Sequence, residues 1–245
     1  MSDNPLERAQ GAEPLRRFYT EVGVAPREEG YTLLLDGREL HTPARRRLGL
    51  PVAPLAEAVA EEWRAQGETI RSDTMPITRI VNSAVDGVAD AMDVVRGDVV
   101  RFADADLVCY RAEGPDGLVM AQQGQWDPVI AWARDELAIR LNLAEGLMHI
   151  AQPPEVSSGV AAEVARHDPF SVAALHVMTT LTGSCVIALA VARGRLTAEE
   201  AWSAAHVDED WQIAQWGADA EAMARREARW RDMAAAARVI ALLRG

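Results

Sequence analysis

The chain has 245 residues, 49% apolar and 25% charged, enough for one large domain or two modest ones that bury a core without disulfide or metal staples. Acidic residues outnumber basic ones 37 to 25, a formal charge of -12 that repels phosphate backbones, so nucleic acid is not the expected partner. All 25 basic residues are arginine, which excludes a P-loop, a Schiff base and a pyridoxal phosphate anchor, each of which needs a lysine amine.

Residues 1–14 are polar, carry Pro5 and Pro14, and are expected to form a flexible tail. Met1 to Gln10 has neither an apolar core nor the acid-poor character of a transit peptide, so the expected compartment is the bacterial cytoplasm. From Arg16 the period is two. Phe18, Thr20, Val22 and Val24 alternate with polar neighbours, and Tyr31, Leu33 and Leu35 then run into Asp36-Gly37, a pair suited to a tight hairpin turn. Arg38 to Thr42 is the expected returning strand, and Arg45 to Pro51, with Leu48 and Leu50, a further short one.

Helical spacing follows. Pro54 suits the first turn of a helix with the stripe Leu55, Val59 and Trp63, ended by Gly67. Met75-Pro76-Ile77-Thr78 opens another, with Ile77, Ile80, Val81, Ala84, Val85 and Val88 on its buried face. Asp127-Pro128 and Asp168-Pro169 each read as an N-cap followed by a first-turn proline, and Thr197 to Glu200 reads as a capping box. Gly194 and Gly217 suit helix ends, and Asp219 can cap a last helix with the inner stripe Met223, Trp230, Met233, Ala237 and Ile240.

Pro169 to Ala192 is a run of 24 residues without a charge, long enough at about 1.5 Å per residue to cross a bilayer of roughly 30 Å. Its content of Ser171, His176, Thr179, Thr180, Thr182 and Ser184, without an aromatic belt, favours a buried central helix broken near Gly183 over stable membrane insertion. The fold class is therefore α+β, a small antiparallel β-rich N-terminal domain followed by a larger all-helical one. The expected organisation is a tail at 1–14, a β-rich domain with one helix at 15–72, and an acidic helical domain at 73–245, which holds most of the negative charge.

Catalytic patterns are sparse. Cys109 and Cys185 stand 76 positions apart and read as buried free thiols, and no histidine has metal-ligand spacing to another histidine or a cysteine, so neither a metal nor another cofactor is expected. The segment Thr182-Gly183-Ser184-Cys185 has no acid or base nearby in sequence and reads as close helix packing. Glu61-Glu62, Asp104 with Asp106, Glu199-Glu200 and Asp208-Glu209-Asp210 read as solvated faces or helix N-terminal charges. An alternative reading is a small-molecule hydrolase or lyase with its site at the domain junction and acid/base groups from Asp104, Asp106 and His176.

Tryptophan is the more informative residue, because its seven copies outnumber the three Tyr and three Phe together and interfaces favour large rings with a polar edge. Trp126 with Trp132, and Trp211 with Trp216, form the densest clusters, each expected to turn one ring to the core and leave the other exposed. The motifs Arg17-Phe18-Tyr19, Leu35-Asp36-Gly37-Arg38 with Thr42-Pro43, Leu55-Ala56 through Glu62-Trp63 and Gln66, Met75-Pro76-Ile77-Thr78, Asp106-Leu107 with Tyr110-Arg111-Ala112, Trp126-Asp127-Pro128 with Trp132, and Gln212 with Trp216-Gly217 occur in order. In this order the chain, from about residue 16 to about residue 225, resembles the ATP synthase F(1)-sector assembly chaperones that serve the alpha subunit. It departs from them at His41, where lysine is common, and at Ala218, where an acid is common.

The resemblance implies a protein without catalysis that binds the newly made alpha subunit, prevents its aggregation, and is displaced when beta arrives. Candidate partner-binding residues are Trp126, Asp127, Glu209, Asp210, Gln212 and Trp216, which combine a ring with nearby carboxylates. The free protein is expected to be a monomer.

Overall fold

The computed structural model describes residues 15–146 and 148–245; the tail expected at 1–14 lies outside the described residues. Three antiparallel strands, β1 (Val22–Arg27), β2 (Gly30–Leu35) and β3 (Arg38–Glu39), lie in the order β1-β2-β3. Asp36 and Gly37 form the β2–β3 turn with φ of 48° and 78°, the left-handed pair that a two-residue hairpin requires. The Asp36 carboxylate accepts from the backbone N–H of Thr20 at 3.0 Å and of Glu21 at 2.8 Å, which holds it below the usual carboxylate range and ties the incoming segment to the turn.

The first strand is shorter than its alternation suggests. Phe18 is exposed and Tyr19 is buried, because residues before Val22 lie across the C-terminal end of α1 (Ala53–Arg64), where Arg17 and Tyr19 donate to carbonyls of residues 63–68. The Tyr19 hydroxyl donates to Trp63 O at 2.7 Å. Residues 45–51 make only a bridge to the sheet, through reciprocal Tyr31 and Leu50 backbone bonds of 2.8 Å. Gly30 permits that approach: at its φ of +88°, a Cβ would stand 2.2 Å from Leu50 O.

α1 has Pro54 in its first turn as expected but ends at Arg64, before Gly67, where the Gln66 side chain accepts from Arg71 N at 2.7 Å and donates to Glu62 O at 3.0 Å. Glu62 is not a solvated charge. It reaches from α1 to the N-terminus of α2 (Pro76–Asp86), accepting from Ile77 N at 2.8 Å and from Thr78 N and Oγ1 at 2.7 Å each. Burial pushes its carboxyl up while these donors oppose the shift.

The remaining elements are α3 (Met92–Arg101), β4 (Tyr110–Arg111), α4 (Asp116–Glu136), β5 (Ala144–Glu145), α5 (Pro154–Val164), α6 (Pro169–Thr182), α7 (Cys185–Ala192), α8 (Ala198–Ala205), α9 (Val207–Trp216) and α10 (Ala220–Arg244). The parallel β4–β5 pair is a departure from an all-helical C-terminal part. The charge-free run is the centre: α6 packs against α2, α3, α7 and α10, and all eight residues of α7 are buried. Its break falls at Gly183, whose φ is 69°. Asp168 caps α6 through Phe170 N at 2.9 Å, and Thr197 and Glu200 form the reciprocal capping box of α8 at 3.1 and 2.8 Å. No helix among the described residues is long and apolar enough to cross a membrane.

Two further expectations fail. α4 starts at Asp116 and runs through Pro128; the one carbonyl left without its helical donor belongs to exposed Gly124, where water can bond it. Asp127 is therefore no N-cap. In α10, Met233 and Ile240 are buried but Met223 is exposed, because the first turns of this helix lie beyond the core.

Glu163 on α5 ties that helix to the end of α7 by two bonds to Arg193, one of them 2.8 Å, and the arginine holds its carboxyl below the ordinary glutamate value of 4.5. A depressed native pKa adds stability above the unfolded pKa and loses it as pH falls through the native one. Glu163→Gln is expected to cost on the order of 1 kcal/mol near neutral pH. The gap to the parent should close as pH falls below 4.5. Denaturant melts across that range test this, and a gap independent of pH contradicts it.

Candidate partner-binding surface

α9 carries Asp208, Glu209 and Asp210 in its first turn, where carboxylates complement the helix dipole, and it stops at Gly217, whose φ is 86°. Asp219 then caps α10 through Ala222 N at 2.8 Å. Arg226 of α10, with only 14% of its side chain exposed, pairs with Asp210 at 2.5 Å and with Glu209 at 3.6 Å. Both acids are thus held in place and partly neutralised. Glu209, Gln212 and Trp216, spaced three and four residues, share one stripe of α9 with Asp210 beside it. At the end of that stripe Trp216 is 80% exposed, and Gln212 is exposed too.

Trp126 does not join them. Its ring is fully buried, its Nε1 donates to Ala204 O at the end of α8 at 2.7 Å, and Arg111 lies 5.2 Å over it. Trp132 is buried as well, so α4 offers no exposed ring; α7, α8 and α9 all pack against this helix. Trp126 holds α8 in place from inside. Asp127, next to it, is exposed and pairs with Arg111 at 2.7 Å. Of the six candidates, the structure brings Glu209, Asp210, Gln212 and Trp216 together and leaves Asp127 on α4.

Several residues that build this surface are silent in the sequence. Gln122 is buried, accepts from Ala112 N at 2.8 Å, and donates to Asp208 at 2.7 Å, linking α4 to α9. Gly117 lies under the Trp211 ring so closely that a Cβ would meet it at 2.2 Å. A glycine inside a helix is the usual mark of such an approach, and Gly117 was the available signal. His206, before α9, stacks on Trp202 at 3.8 Å and donates from Nδ1 to Trp202 O at 2.8 Å; burial lowers its pKa.

The alternative acid/base set does not converge. Asp106 is fully buried and accepts from Val108 N, Val186 N and the Cys185 thiol, while Asp104 is exposed and accepts from Ser157. His176 lines an open cavity of about 350 Å³ with Asp98, Arg101, Phe102 and Ala105, which neither carboxylate enters. Burial pushes the Cys109 thiol up to about 12 and that of Cys185 well above its ordinary value, so both remain protonated thiols. No group of three or more metal-ligating side chains is assembled among the described residues.

Because Trp211 seats α9 on Gly117, Gly117→Ala should displace the ring and cost about 1–3 kcal/mol while leaving helix content intact. Tryptophan fluorescence and a denaturant melt measure this, and an unchanged melt contradicts the seating.

The ATP12 chaperone protein family matches the chain over residues 16–134. Atp12 from Paracoccus denitrificans is similar along almost its whole length, with 42% identity, 93% of this chain and 98% of that chain covered, and a TM-score of 0.87. A point variant of the same Atp12p gives 42% identity, coverage of 93% and 97%, and the same TM-score of 0.87. Atu1473 from Agrobacterium tumefaciens, a candidate chaperone, is 46% identical over 99% of this chain and 92% of that one, with a TM-score of 0.91. The ordered motifs, the small sheet before a helical body, and these similarities agree: the chain belongs to the ATP12 chaperone family.

Proposed function

We propose that the protein is an assembly chaperone of the ATP synthase F(1) sector that works in the bacterial cytoplasm and binds the unassembled alpha subunit through the outer stripe of α9. The observation that carries this reading is the exposed Trp216 at the end of a helix whose acids are already fixed by Arg226. A large ring held in water by a rigid element gives contact area with little further ordering, the quality of an interface anchor.

Physical chemistry favours such a role for a subunit awaiting assembly. An obligate interface is large and apolar, so an unassembled subunit exposes a surface liable to self-association, and a temporary partner lowers the free concentration of that surface by mass action. The temporary partner must bind less tightly than the permanent one. A single exposed ring on an acidic, hydrogen-bonded surface supports moderate affinity, with charge contributing chiefly to encounter rate and register. Beta then displaces the chaperone because the two compete for one face of alpha.

Purified protein should co-purify with isolated alpha and not with beta, and should suppress alpha aggregation at comparable concentration without nucleotide. Trp216→Ala is expected to weaken alpha binding by about 2 kcal/mol, more than tenfold, as loss of an anchor ring does. Gln212→Arg should weaken it to a smaller extent. Equal capture of alpha and beta rejects the client assignment, whereas full binding by both variants moves the contact off α9.

A further inference from the structure

A second surface lies on α4, on the side where β5 runs beside it. A groove of about 250 Å³ there is lined by Arg111, Val119, Gln123 and Leu143 together with the acids Asp127 and Glu145. Met120 is 69% exposed, Leu143 45% and Met148 79%, so three large apolar side chains stand in water on α4 and on the loop that carries β5. Asp116, Met120, Gln123 and Asp127, spaced four, three and four residues, form one stripe of α4.

The loop is held as a built feature. At its base Asn142 N donates to Gln152 Oε1 at 2.9 Å, and Gln152 Nε2 returns a bond to Asn142 O at 2.9 Å. Beyond β5, Gly146 N donates to Arg111 O at 2.8 Å. β5 pairs with β4 on one side only, so among the described residues its other edge is an open strand edge. Glu145 lines the groove, the Glu113 carboxylate lies beside Gly146 just past β5, and Asp116 opens the α4 stripe; none of the three makes an ion pair among the described residues, whereas Asp127 is paired, to an arginine whose side chain is only 10% exposed.

We propose that this groove docks an extended, basic segment of a protein partner, which adds a strand to the open edge of β5. The edge supplies backbone hydrogen bonds, Leu143 and Met120 take alternate apolar side chains, and Glu113, Asp116 and Glu145 face the cationic ones. Charge complementarity selects this occupant over a second copy of a chain whose net charge is -12. The proposal stands apart from the alpha reading, since its site is on α4 and β5 and its probe is a synthetic peptide.

The test uses the full chain and an acetylated heptapeptide alternating lysine and valine, with a glutamate-for-lysine peptide as comparison. The lysine peptide should bind and the glutamate peptide should not, and bound peptide should slow hydrogen exchange at Ala144 and Glu145. Asp116→Arg with Glu145→Arg should weaken binding about tenfold, and Leu143→Asp by a similar factor. The milder Glu145→Gln, about threefold, keeps the test valid if the double reversal fails to fold. Reversal of Glu28 and Glu29 on the β1–β2 turn should leave affinity within about twofold. Equal weakening by that control reduces the effect to general attraction by an acidic protein and overturns the proposal. So do absence of peptide binding, insensitivity to the Leu143 change, and self-association of the chain through this edge.

Discussion

The structure depends on hiding one stretch of chain. Pro169 to Ala192 has no charge, and so apolar a helix pair must be covered over most of its surface. α2, α3 and α10 cover α6, and α4, α8 and α10 cover α7. Burial of that kind also buries helix ends, and an unmet backbone donor in such a place costs about 1–3 kcal/mol. The break at Gly183 is therefore closed by side chains. Ser184 accepts from Ile187 N at 3.0 Å, and Asp106, arriving from a distant turn, accepts from Val186 N at 3.1 Å. Burial raises the Asp106 pKa, and its donors oppose that shift, so this acid is a structural cap whose surroundings leave no room for a substrate.

The second consequence is the position of α4. It packs on α7, and it carries outward the ties that hold α8 and α9: Trp126 to Ala204, Gln122 to Asp208, and Gly117 beneath Trp211. Arg226 holds α9 from the α10 side. The outer stripe of α9 is thus anchored to the core from two sides, and Trp216 stands exposed at its end. The same helix turns a different side toward β5, where Met120 and Leu143 remain uncovered.

Elements with local causes were legible residue by residue. Asp168-Pro169, Thr197 with Glu200, and Asp36-Gly37 each do what their spacing indicates, because a cap or a two-residue turn closes within a few positions. Asp127-Pro128 has the same local signal and fails, since packing of α4 against three other helices outweighs one missing hydrogen bond. Phe18 and Tyr19 exchanged places for a similar reason: the Trp63 carbonyl at the end of α1 claimed the tyrosine hydroxyl. At the candidate site, Glu209, Asp210, Gln212 and Trp216 were legible as neighbours on one helix, whereas Arg226 and Gln122, which hold that helix, left no local mark.

By itself the sequence determined the Asp36-Gly37 turn, the caps at Asp168, Thr197 and Asp219, the buried centre and the division between a small sheet and a helical body, because these follow from periodicity and from contacts within a turn. Tertiary structure alone decided which tryptophan meets water and which carboxylates serve as caps. Trp126 and Trp216 have similar sequence surroundings and opposite exposure, and Asp106 finds Val186 across 80 positions. Exposure and long-range capping are set by what packs against a residue, and that is a property of the assembled core.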